Sequence, residues 1–90
     1  MPDPVAEIIN SNFEAAKRGI LSIWTVYDRP KDYPTGFIAR RFACTALGPC
    51  PTSDAWAGEL EQLREGLNKA GLVRMQRHPD DDAKIVETWL

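Results

Sequence analysis

The segment Ile20–Tyr27, ILSIWTVY, limits what this chain can become more than any other stretch. It is dense in β-branched and aromatic residues, the types that fit a pleated and packed surface. If it is extended, Ile20, Ser22, Trp24 and Val26 project to one side, and Leu21, Ile23, Thr25 and Tyr27 to the other. Both sets are largely apolar. The strand is therefore expected in the middle of a sheet, covered on both faces by the chain's own elements or by a partner.

Phe37–Ala43 reads as its hairpin partner. It is the more polar of the two and is expected at a sheet edge, where Arg40 and Arg41 would discourage edge-to-edge pairing. Their alternation sends these arginines to opposite faces, so they cannot form one basic patch. The connection 28–36 is too long for a two-residue turn, and Pro30 and Pro34 should stiffen it.

Residues 1–19 read as an N-terminal helix, with Asp3 as cap, Pro4 in the first helical position and a stripe of Val5, Ile8, Ile9, Phe13 and Ala16. The run Asn10-Ser11-Asn12 is a poor helix former, so this helix should depend on tertiary contact. ALGPCPTSD reads as a loop. A second helix is expected over Ala55–Ala70, capped by Ser53 or Asp54, with Trp56, Leu60, Leu63 and Leu67 buried. Gly71 would end it in the left-handed conformation, with Leu72 folding back. IVETWL, Ile85–Leu90, reads as the last strand.

The assembled expectation is an α+β chain: an N-terminal helix (1–19), then a ββαβ domain (20–90) whose three-stranded sheet has order 2-1-3 with the first strand central. Trp24, Trp56 and Trp89 are expected in the core rather than around a ligand.

At 90 residues with 43% apolar content, there is material for one core. A formal charge of −2 makes a dedicated nucleic-acid or anionic-membrane binder an unfavoured reading. No apolar run approaches a bilayer span, and MPDPVAEIINSN lacks the features of a signal peptide, so the expected location is cytoplasmic. Cys44 and Cys50 are then expected as reduced thiols, close enough in sequence to bridge under oxidation. His78 is the only histidine. No metal or other cofactor is expected.

In the expected topology the last strand starts beside the end of the first, bringing two charged loops to one rim. Tyr27, Arg29, Lys31, Asp32 and Tyr33 come from one loop, and Arg77, His78, Asp80, Asp81 and Asp82 from the other. Such a rim could hold an anion between arginines, with a carboxylate or His78 as base. The plainer reading is that Arg29 or Arg77 pairs with Asp32, Asp81 or Asp82 and pins the loops.

WTVYDRPKDYPTGFIARRF and GLVRMQRHPDDDAKIVETWL resemble a family of small uncharacterised bacterial and phage-associated proteins. Its members carry a Y-x-x-P-x-D-Y-P-like hairpin and an R-x-P-x-D-D-x-x-I-V-E-x-W-L-like tail. The resemblance implies no activity and no catalytic residue. Its implication is an interaction or accessory protein encoded with phage or mobile-element genes, against the alternatives of an anion-binding protein or enzyme at the rim and a weak nucleic-acid module. The two apolar faces of the central strand point to a homodimer, with the first helix at the contact, or to another protein partner.

Overall fold

The computed structural model describes residues 4–76 and 83–90. Its elements are α1 (Pro4–Lys17), β1 (Leu21–Asp28), β2 (Phe37–Thr45), β3 (Gly48–Gly58), α2 (Leu60–Lys69), β4 (Arg74–Gln76) and β5 (Ile85–Trp89). The α+β class stands. The three-stranded sheet does not: five strands, all antiparallel to their neighbours, form one sheet of order β3-β2-β1-β5-β4.

The largest correction concerns residues 46–58. The proline-rich stretch expected to be a loop, and the first turn of the expected second helix, together form β3. A two-residue turn at Ala46-Leu47 returns the chain onto β2, pairing Thr45 with Gly48. Gly48 supplies the positive φ of 101° that this turn needs. The Thr45 hydroxyl donates to the Gly48 carbonyl (3.1 Å) and accepts from the Leu47 N–H (3.2 Å). Gly and Pro depress local strand propensity, but the pairing with β2 overrides them.

As a result β2 lies inside the sheet and not at its border. The borders are β3 and the short β4. Pro49 and Pro51 remove backbone donors from part of the β3 border, which is where proline is tolerated.

α2 begins at Leu60, not Ala55, and the expected Ser53 or Asp54 cap is absent. Instead the Glu59 N–H donates to the Gln62 side-chain oxygen (3.1 Å). At its other end Gly71 has φ 88°, its N–H donates to the Asn68 carbonyl (3.0 Å), and that of Leu72 donates to the Leu67 carbonyl (3.2 Å). This is the Schellman arrangement.

Both helices lie on one face of the sheet. Ile8 from α1 and Leu63 and Leu67 from α2 share one buried cluster with Trp24, Val26, Ala39 and Trp89. Trp56, expected on the helix, reaches this cluster from β3 instead, and its ring lies so close to Gly66 that a Cβ there would overlap it.

α1 presents a different side from the one its apolar residues mark. Of the expected stripe Ile8 is buried and Val5 half-buried, whereas Ile9, Phe13 and Ala16 are exposed and Ala15 is buried instead, a rotation of about 100° or one residue. Asn12, on the inner side, accepts a hydrogen bond from the Trp24 indole N–H (3.0 Å). The poor helix former is thus the residue that satisfies a buried donor.

Candidate functional site

The end of β1 carries the described half of the expected rim. The Tyr27 Cα pairs with those of Ile38 and Ile85, and the Asp28 N–H donates to the Lys84 carbonyl (2.7 Å), so the start of β5 does lie beside the end of β1. Arg29 turns the chain out of the strand at φ 46°, a strained value for a long side chain. Its N–H donates to the Gly36 carbonyl (2.9 Å), and its Nε donates to Asp28 Oδ1 (2.8 Å). That hydrogen bond, reinforced by the carboxylate charge, raises the Arg29 guanidinium above its ordinary value.

Asp32 pairs with Arg40. The Tyr33 N–H donates to the Pro30 carbonyl (2.9 Å), and its ring stands beside Gly36. Arg29 and Asp32 therefore do not meet; each is matched to a charge on its own hairpin. Arg77, His78, Asp81 and Asp82, with Asp80, lie outside the described residues.

Two further charged clusters lie on the helix side of the sheet, and neither was picked out in the sequence. Arg41 Nε donates to Asp54 Oδ2 (2.7 Å) and Nη1 to the buried Ser22 hydroxyl (3.1 Å). The register of β3 shifts opposite Arg41, where Thr52 donates to the Arg41 carbonyl (2.9 Å) and brings Asp54 round to the guanidinium. Arg41 is a structural tie.

The second cluster centres on Glu87, 3% exposed. Arg64 Nη2 and Nε donate to its Oε1 (2.8 and 3.1 Å), and Trp89 Nε1 donates to its Oε2 (2.8 Å). The bond to Glu87 raises the Arg64 guanidinium above its ordinary value, against the opposing pull of desolvation. A buried carboxylate persists only with such partners. Glu87 falls on the buried face of β5 by simple alternation with Trp89, a signal available in IVETWL.

Among the described residues no group of three or more His, Cys, Asp or Glu side chains could hold a metal ion. The pairings Cys44–Leu21 and Cys50–Ala43 put the two thiols on opposite faces of the sheet, so they are not placed to bridge.

The more unusual surface is the face that carries neither helix. Strand register places Leu21, Ile23, Thr25 and Tyr27 of β1 there, beside Ile38, Arg40, Phe42 and Cys44 of β2, Pro49 of β3, Ile85 and Thr88 of β5, and Met75 of β4. At its centre is a concavity of about 250 Å³ lined by Ile23, Thr25, Tyr27, Phe42, Pro49, Ile85 and Thr88. Around it Leu21 is 57%, Met75 46%, Val73 64% and Leu90 40% exposed. Val73 and Leu90 exchange both backbone hydrogen bonds (2.8 and 3.0 Å), extending the β4–β5 pairing by one residue. No described helix is long and apolar enough to cross a membrane. No protein-family model, no curated protein and no solved structure matches the chain.

Proposed function

We propose that the chain is a protein-interaction module whose contact surface is the helix-free face of its sheet. The observation that carries this is the apolar character of that face across strands that also bury their opposite side. An antiparallel sheet with one wet face alternates apolar with polar residues. Here β1 offers Leu21, Ile23 and Tyr27 to the uncovered side. A contiguous apolar patch of this kind marks an interaction site more often than an accident of folding. The anion-binding reading has less support, because Arg29 and Asp32 are matched within their own hairpin.

The reading is tested with Phe42→Glu, which puts a charge at the floor of the concavity. Wild-type chain should either bind a hydrophobic dye as a dilute monomer or associate with protein through this face. Phe42→Glu should remove whichever signal is present while far-UV circular dichroism is unchanged. A wild type showing neither signal would refute the proposal.

A further inference from the structure

We infer that the occupant of this face is a second copy of the chain, the two sheets stacked face to face about a two-fold axis with the helices outside; this rests on the reading of the helix-free face as a contact surface. Charge supports it. Among the described strand residues on the face, Arg40 alone is charged, and Asp32 of the same chain neutralises it. Two copies would meet without like-charge repulsion, and a strongly charged partner would find nothing to pair with. The chain's own segment 77–82, RHPDDD, is chemically unsuited to cover apolar residues.

Size agrees. Strands spaced ~4.8 Å apart and rising ~3.3 Å per residue give a face of roughly 500–600 Å² in projection. Specific interfaces begin near ~600 Å² per partner. The molecule measures 34 × 33 × 22 Å, and the short dimension matches one helix layer on one sheet, about 10 Å each. Shape agrees as well, since two sheets with the same inherent twist stack about 10 Å apart with strands some 30° off parallel. Sideways pairing is the weaker alternative, because Pro49 and Pro51 interrupt the first part of one border and the described part of the other is three residues long.

The arrangement differs from a dimer built on the first helix, and the exposed Phe13 of α1 provides the control. Sedimentation over a micromolar to submillimolar range should show the mass rise from one chain of 10.1 kDa to two. Phe42→Glu should hold the chain at the monomer mass; so should Leu21→Glu, whose site is already more than half exposed and tolerates the charge in the fold. Phe13→Glu should leave the dimer intact. In single-thiol variants, labelling of Cys44 should slow several-fold on dimerisation and that of Cys50 should not, since Cys44 shares the face with Leu21 and Cys50 does not. A wild type that stays monomeric throughout yet loses dye binding in Phe42→Glu would overturn self-association and leave the contact surface standing. A dimer that survives Phe42→Glu and Leu21→Glu and dissolves in Phe13→Glu would overturn both.

Discussion

The two faces of β1 are built from nearly the same kinds of residue, yet only one is finished. On one side Trp24 and Val26 disappear beneath α1 and α2. On the other Leu21 stays more than half exposed, and Ile23 and Tyr27 line a shallow hollow. The helix-side face also holds its polar groups in full pairing: Glu87 with Arg64 and Trp89, Arg41 with Asp54 and Ser22, Trp24 with Asn12. The comparison separates apolar area covered within the single chain from apolar area, such as that of Leu21, that stays open unless something docks on it.

Leu63→Ala should have the largest effect. Leu63 is fully buried, so truncation should lower stability by about 2–5 kcal/mol in denaturant titration. Leu21→Ala on the opposite face should lower that of the dilute chain by less than ~1 kcal/mol, because Leu21 is 57% exposed and little transfer from water is lost. Equal losses would mean that the two faces are not different in kind.

Arg64→Met should follow, at about 3 kcal/mol, because it leaves the Glu87 carboxylate buried beside the Trp89 N–H without its charged partner. The Arg64→Met/Glu87→Leu double variant should recover most of that loss, as thermal unfolding would reveal.

Gly66→Ala sharpens the contrast within a helix. Elsewhere on an exposed helix this exchange stabilises by up to ~1 kcal/mol. Here the added methyl meets the Trp56 ring, and the net effect should be destabilising by about 1–3 kcal/mol.

The smallest effect belongs to a pair on the water side of α2. Lys69, through a hydrogen bond and then its charge, holds the Glu65 carboxyl below its ordinary value of 4.5. A carboxyl depressed in the folded state contributes stability above its unfolded-state pKa and loses it as pH falls through the folded value. Wild type should therefore exceed Glu65→Gln slightly near neutrality and converge with it in acid, measured as Tm against pH.

Much of this was legible in the residues. The Ile20–Tyr27 alternation marks a strand with neighbours on both sides, and β2 and β5 are those neighbours. Gly71 and Leu72 mark the end of α2. The sequence patterns misled where tertiary pairing outweighed local preference. GPCPTSDAWAG looks like a loop leading into a helix, and becomes a strand because β2 offers it a full ladder. Arg40 and Arg41 resemble border protection, and are ion-paired inside the sheet. On α1 the apolar stripe of Val5, Ile8, Ile9, Phe13 and Ala16 is right at Ile8, but Ile9 and Phe13 face outward. The hydrogen bond to Trp24 instead turns Asn12 inward, which no count of hydrophobic spacing could reveal. Of the rim, the pairing of Arg29 with Asp28 was hidden because adjacent residues alternate in a strand, and the positive φ at Arg29 breaks that alternation. The uncovered face was half visible: its apolar content could be read from β1, but which helix would cover which side could not.

The prolines of β3 carry a last consequence. A sheet with open borders can recruit neighbours without limit and lengthen into a ribbon. With one margin interrupted at Pro49 and Pro51 and the described part of the other limited to Arg74–Gln76, growth in the plane has reduced purchase. Joining perpendicular to the plane, as proposed above, would be exhausted after one event, so a chain made adhesive in that direction would still remain a finite object.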